Sequence, residues 1–187
     1  KQLLNEVEGL SFVKIRPADG RVFLHDEMYD LMERLVLQPR KHPERTERAL
    51  KPILEYYQVQ IKQLRANLLA AYVELEKASE QAPDATLQCV TECAEMLYAA
   101  LNEDLHYQLR FDPQQGFANY QRYAEEATLG ENTSLDAQLR AELLDFLNYR
   151  DPKEELPQID GLKRSAVDAD FAIRWVKRSV AAEKYED

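Results

Sequence analysis

Glycine, cysteine and histidine are all scarce in this chain of 187 residues, which holds five, two and three of them. The glycines, Gly9, Gly20, Gly116, Gly130 and Gly161, stand far apart, so no Gly-rich loop exists that could cradle a nucleotide phosphate. Cys89 and Cys93 are the whole thiol complement, four residues apart on one helix face. That spacing reads as free thiols buried in a helical core, in a reducing compartment, rather than as a disulfide framework. Long apolar runs are absent too: none approaches a membrane span, and Lys1-Gln2-Leu3-Leu4 does not resemble a secretory signal. A cytoplasmic location is the expectation. Positive charge is in deficit, with 24 Lys and Arg against 34 Asp and Glu and a net charge of −10. Residues 1 to 50 carry nine of each sign, leaving 15 positive and 25 negative for residues 51 to 187. Such a surface repels phosphates, so direct nucleic-acid binding is not expected of the long C-terminal part.

What the chain does contain is helical periodicity, interrupted once near the N-terminus. Val13 and Ile15, then Val22 and Leu24, alternate with other residues at the period of two of a half-buried strand, and Pro17-Ala18-Asp19-Gly20 supplies a turn. A short β-hairpin is predicted there. Upstream, Leu3, Leu4 and Val7 read as the end of a helix stopped by Gly9. Downstream, Met28, Leu31, Met32 and Leu35 predict a helix from about His25 to Leu37, with Asp26, Glu27 and Asp30 favouring its N-terminal dipole. Pro39 and Pro43 mark a break.

The rest reads as helix after helix. Ile53, Tyr57, Ile61, Leu64, Leu68, Tyr72 and Leu75 form one apolar stripe, with Pro52 in the expected first turn. A second helix starts at Pro83-Asp84 and uses Leu87, Val90, Ala94, Leu97 and Leu101. Asp112-Pro113 opens a third, carrying Phe117, Tyr120, Ala124 and Ala127 and closed by Gly130. Thr133 or Ser134 caps a fourth, with Leu135, Leu139, Leu143, Phe146 and Leu147 inward. Residues 148–163, with Pro152, Pro157 and Gly161, read as an ordered loop before a last helix bearing Ala169, Ile173, Val176 and Val180. The fold class is therefore mainly α: a short hairpin followed by antiparallel paired helices, either tetratricopeptide-like or an irregular bundle.

Candidate chemistry is thin. Glu103-Asp104-Leu105-His106 matches half of a di-iron Glu-x-x-His arrangement, but the second half is missing. Cys89, Cys93 and His106 make at best an incomplete zinc site, since structural zinc wants four ligands. No metal site is expected. Ser134 reads as a cap rather than a nucleophile, and His42, between Lys41 and Pro43, as a loop residue. Tyr107, Phe117, Tyr120 and Tyr123 fit core positions better than a binding groove. No catalytic residue is assigned.

The order of strand, Gly-containing turn, strand ending Val22-Phe23-Leu24, and then His25-Asp26-Glu27-Met28-Tyr29-Asp30-Leu31-Met32 resembles the end of the winged-helix domain in STAND nucleotide-binding switches. These multidomain ATPases include the NB-ARC plant resistance proteins, apoptotic activators and bacterial regulators. Their winged helix ends in a Met-His-Asp motif at a helix start, and Leu24-His25-Asp26 is similar to it, with Leu in place of Met. The resemblance implies that residues 1–38 close a winged-helix domain and that 39–187 form a helical, repeat-like sensor arm. It implies that His25 contacts the β-phosphate of ADP held in an upstream NTPase domain and that Asp26 fixes the geometry of that contact. A ring N–H suits this, since it donates to a phosphate oxygen while the other nitrogen is oriented by a neighbour. ADP or ATP would then belong to the larger protein and no cofactor to this part.

Three functions follow as expectations. The first is a non-catalytic regulatory arm that couples a protein or small-ligand signal to a nucleotide switch. The second is a helical scaffold whose acidic faces bind a basic protein or peptide partner. The third is a helical-bundle enzyme with a metal or small-molecule site around His106.

Overall fold

The computed structural model describes residues 13–15, 22–24, 43–77 and 84–183. The chain divides into two units, Lys1–Ala49 and Leu50–Asp187. In the first, β1 (Val13–Ile15) pairs antiparallel with β2 (Val22–Leu24) in the register Val13 to Leu24, Lys14 to Phe23 and Ile15 to Val22. This is the predicted hairpin. The expected helices at the N-terminus and over residues 25–37 lie outside the described residues.

The rest of the described chain is helical: α1 (Pro43–Lys77), α2 (Asp84–Phe111), α3 (Pro113–Leu129), α4 (Thr133–Arg150) and α5 (Arg164–Glu183). A tiny hairpin of β3 (Gln158–Ile159) and β4 (Leu162–Lys163) precedes α5. The protein is mainly α, as its periodicity requires. One detail differs in α1: the helix begins at Pro43, so Pro52 lies in its interior rather than in its first turn. A helix that starts at a proline loses nothing there, because the first N–H groups have no intrahelical acceptor.

α2, α3 and α4 pack against one another in every pairing. Asp112 alone separates α2 from α3, and its carboxylate accepts from the backbone N–H of Gln114 and of Gln115, both at 3.1 Å. With Pro113 at the first helical position, this is the start that the sequence predicts. The reversal brings Gly116 onto Leu109 and Tyr123 onto Asp104, so α2 and α3 run antiparallel. α3 closes at Gly130, whose N–H donates to the Glu126 carbonyl at 3.0 Å. The cap of α4 is Asn132, not Thr133 or Ser134: its side chain accepts from the Leu135 N–H at 2.9 Å. Asn is at least as good a cap as Ser or Thr, and the residue before it, Glu131, takes the left-handed φ of 55° that ends the turn.

The buried core joins Leu97, Leu101, Leu105 and Leu109 of α2 to Phe117, Tyr120, Tyr123 and Ala124 of α3. Leu139, Leu143 and Phe146 of α4, Ile159, Leu162 and Val167 complete it. From α1, Ile61 enters this core and Tyr57, Leu64 and Leu68 lean on it. The Tyr57 ring stacks on Tyr107 with centroids 5.8 Å apart, and Arg65 meets Glu126 through two bonds of 2.9 and 2.6 Å. Tyr72, on the same predicted stripe, is exposed.

The expected loop over 148–163 is shorter and better built than its sequence suggests. α4 continues to Arg150, and the Asp151 carboxylate then accepts from the N–H groups of Glu155 (3.2 Å) and Leu156 (2.7 Å). Those bonds, the one to Leu156 first, hold its carboxyl below the usual carboxylate range, helped by Arg164. Asp160 and Gly161 then turn the β3–β4 hairpin at φ of 47° and 90°, the paired positive values of a two-residue turn that an Asp-Gly pair adopts readily.

Candidate functional site

Of the residues singled out from the sequence, His25, Asp26 and His42 lie outside the described residues. What is described is the element before them in the sequence, β2, as far as Leu24. Phe117, Tyr120 and Tyr123 are buried in the core, and Tyr107 is half-buried against Tyr57.

α5 meets the bundle with the side opposite its apolar row. At 100° per residue, Ala169, Ile173, Val176 and Val180 share an arc of about 60°. That row faces outward, with Ile173, Val176 and Val180 at least half exposed, and Trp175 is 66% exposed on one flank. The opposite side of α5 meets the bundle. It carries Val167 and Phe171, but also two arginines, and its grip is largely ionic. Arg174, 5% exposed, donates from Nε to Asp170 at 2.7 Å and from its terminal nitrogen to the Gln121 carbonyl at 2.8 Å, and lies over the Tyr120 ring. Gln121 in turn donates to Asp170 at 3.0 Å, Lys177 bridges to Glu125 and Arg178 pairs with the buried Asp136. Successive contacts ascend both helices together, so α5 runs parallel to α3. The hydrogen bond from Lys177, more than any other influence, keeps the Glu125 carboxyl below its usual range. Asp170 and Arg174 are legible as an i, i+4 pair. Arg178 with Asp136 is not, because 42 residues separate them.

A second cluster joins α2 to α4. His106 Nδ1 lies 2.9 Å from Glu142 Oε1, and Arg110 donates to the same oxygen at 3.0 Å and to the His106 carbonyl at 3.0 Å. Burial pushes the Glu142 carboxyl up, but the hydrogen bonds and charges of His106 and Arg110 together outweigh it and hold it below the ordinary glutamate range. Arg110 is drawn down by its own burial, with Glu142 opposing. Glu103, the other half of the Glu-x-x-His match, is exposed, while His106 faces Glu142.

The third cluster is a buried carboxyl. Asp104 accepts from the Tyr123 hydroxyl at 2.7 Å, and Asn119 adds a long contact of 3.4 Å. Among the described residues its second oxygen has no hydrogen-bond partner. Desolvation raises the Asp104 pKa, with Tyr123, Arg122 and Asn119 offsetting only part of it, and burial likewise raises that of Tyr123. A raised folded pKa means that ionised Asp104 destabilises the fold at neutral pH and that this penalty fades as pH falls through its folded value. Asp104→Asn keeps the acceptor for Tyr123 without the charge. It should stabilise the protein by roughly 1 kcal/mol at pH 7 and less in acid, measured by urea unfolding at both.

Cys89 and Cys93 correct the expectation of a buried pair: Cys89 is exposed and Cys93 only half-buried. The physical reason lies in α2, whose buried positions begin at Leu97. Residues 84–96 contain no buried side chain. His106 is 13 positions beyond Cys93, about 20 Å along the helix, so the three do not meet. Among the described residues, no group of three or more His, Cys, Asp and Glu could hold a metal. A cleft of about 180 Å³ lies where α4, the following loop and α5 converge, lined by Leu147, Glu154, Arg164, Asp168 and Phe171 among others. It is smaller than the usual small-molecule site. No described helix is long and apolar enough to cross a membrane. No protein-family model, no curated protein and no solved structure matches the chain.

Proposed function

We propose that the chain is a non-catalytic regulatory part of a STAND-type signalling ATPase, working in the cytoplasm. What supports this reading is the antiparallel pairing of β1 with β2 up to Leu24, with His25-Asp26 next in the sequence, the order in which the family's motif follows its wing. On this reading His25 donates a ring N–H to the β-phosphate of ADP in an upstream NTPase domain, Asp26 orients that segment, and the helical unit receives a protein or small-ligand signal. The signal acts by preferring the open arrangement, since a ligand shifts such an equilibrium only by its differential affinity for the two states.

The coding sequence before Lys1 should then contain a Gly-x-x-x-x-Gly-Lys-Ser/Thr loop. In the full-length protein, His25→Ala should speed ADP release by roughly 10- to 100-fold, the loss of one hydrogen bond to a charged group. Release at the parent rate, followed with a fluorescent ADP analogue, overturns the role of His25. The second reading, a helical scaffold for a basic peptide or protein, draws on the outward apolar row of α5 and on the acidic excess of residues 51–187. It gains the ground if no phosphate-binding loop precedes Lys1 and a basic amphipathic peptide binds with an affinity that falls in salt.

A further inference from the structure

We propose that the cleft between the end of α4 and the start of α5 anchors an arginine carried by an amphipathic helix of a partner protein, which lies along the outer edge of α5 and covers Trp175. The cleft holds about 180 Å³, too little for most small-molecule ligands but room for one long side chain. Leu144, Leu147, Val167 and Phe171 give it apolar walls, and Glu154 and Asp168 border it. Neither carboxylate meets a hydrogen-bond donor or a cation among the described residues. Arg164, the cation in the lining, is engaged by the loop instead. Its Nε donates to the Leu156 carbonyl at 3.1 Å and its terminal nitrogen to the Asp151 carboxylate at 3.2 Å. An apolar slot bordered by two unopposed negative charges matches a side chain with an apolar stem and a cationic head. Arginine fits better than lysine, because a planar, weakly hydrated guanidinium can bridge two carboxylates and lie against an aromatic ring such as Phe171.

The surface beside the cleft indicates what carries the arginine. Trp175 follows Asp168 by seven positions, so it lies within about 20° of it on the same edge of α5 and about 10 Å further along the axis. It is 66% exposed, and the exposed row of Ile173, Val176 and Val180 adjoins it. Leu144, on the α4 wall of the cleft, is 40% exposed as well. An apolar strip continuous with an acidic slot is complementary to a helix whose arginine shares a face with apolar residues three, four and seven positions on. The net charge of −10 attracts any cation loosely. What this site adds is a fixed step from the arginine to its apolar neighbours. The inference rests on the scaffold reading, which it narrows to one site, and not on the nucleotide switch, since every residue it uses belongs to the helical unit.

The test is a calorimetric titration of the chain with a short blocked helical peptide. The peptide carries one arginine, leucines three, four and seven positions after it, and otherwise alanine and glutamine, so a single cation is measured rather than the general pull of an acidic protein on a polycation. Replacing that arginine by citrulline, which keeps the shape without the charge, should weaken binding about tenfold. Glu154→Gln and Asp168→Asn should each weaken the arginine peptide about threefold and leave the citrulline peptide unaffected. Trp175→Ala should weaken both peptides about tenfold. All three positions are exposed, so circular dichroism and the urea midpoint should match the parent in each variant. Equal affinity for the arginine and citrulline peptides overturns the site, as does a lack of measurable binding by the arginine peptide. A polybasic peptide that binds the Glu154→Gln, Asp168→Asn double variant as tightly as the parent also overturns it, while the scaffold reading stands. A concentration-dependent dimer in ultracentrifugation that Trp175→Ala dissolves gives this edge to a second copy of the chain and overturns the partner helix.

Discussion

Glu142→Ala should cost the helical unit about 3 kcal/mol, read as a fall in the urea midpoint at pH 7 with unchanged slope. The size follows from what is left behind. Arg110 is 6% exposed, and Glu142 is its anionic partner at 3.0 Å. Truncating the carboxylate takes a close anion from a buried guanidinium, and breaking a buried pair from one side is far more damaging than replacing both partners. Natural domains hold only about 5–15 kcal/mol in reserve, so the loss should be visible at once. The pH dependence supplies the control. Glu142 has a folded pKa below its unfolded value, so its contribution is complete above the ordinary glutamate range and is lost as pH falls through the lowered folded value. Parent and variant should therefore converge in acid. Equal destabilisation at pH 7 and pH 3 would mean that lost packing, not the ion pair, was measured.

Gly116→Ala should cost about 2 kcal/mol, although alanine is the better helix former. A Cβ at residue 116 would lie 2.7 Å from Leu109 Cα and 2.8 Å from its backbone nitrogen, so α2 and α3 must separate. Backbone atoms cannot turn aside as a side-chain tip can, and overpacking of this kind costs typically 1–3 kcal/mol or more. The gain in helix propensity is at most about 1 kcal/mol, which leaves the clash dominant. Gly130→Ala is the matched comparison: its Cβ would touch only the Glu126 carbonyl at 3.3 Å, and φ is −85°. That variant should be nearly neutral. A Gly116→Ala protein as stable as the parent in thermal unfolding would mean that the two helices separate there at little cost.

Local signals in the sequence were reliable where the determinant is local. Asp112-Pro113 and Gly130 bound α3 as read, and the β1–β2 alternation gave its hairpin. Periodicity identified which residues share a face, but not which face meets the bundle. α5 shows why: it has an apolar row and an arginine-bearing row, and packing chose the second because Asp170, Gln121 and Asp136 wait there to satisfy the charges. Cys89 and Cys93 failed for a related reason, since a helix of 28 residues outruns the partners that bury it. The α2–α4 ion cluster had no signature, because its members lie more than 30 residues apart. His25 and Asp26 rest on resemblance alone.

That overrun of α2 has a kinetic meaning. Residues 97–111 are fixed by the core, so the outer turns never have to begin a helix; they only lengthen one already started. Growth and fraying there proceed a residue at a time from the Leu97 end, across residues 84–96 that carry no buried side chain to anchor them.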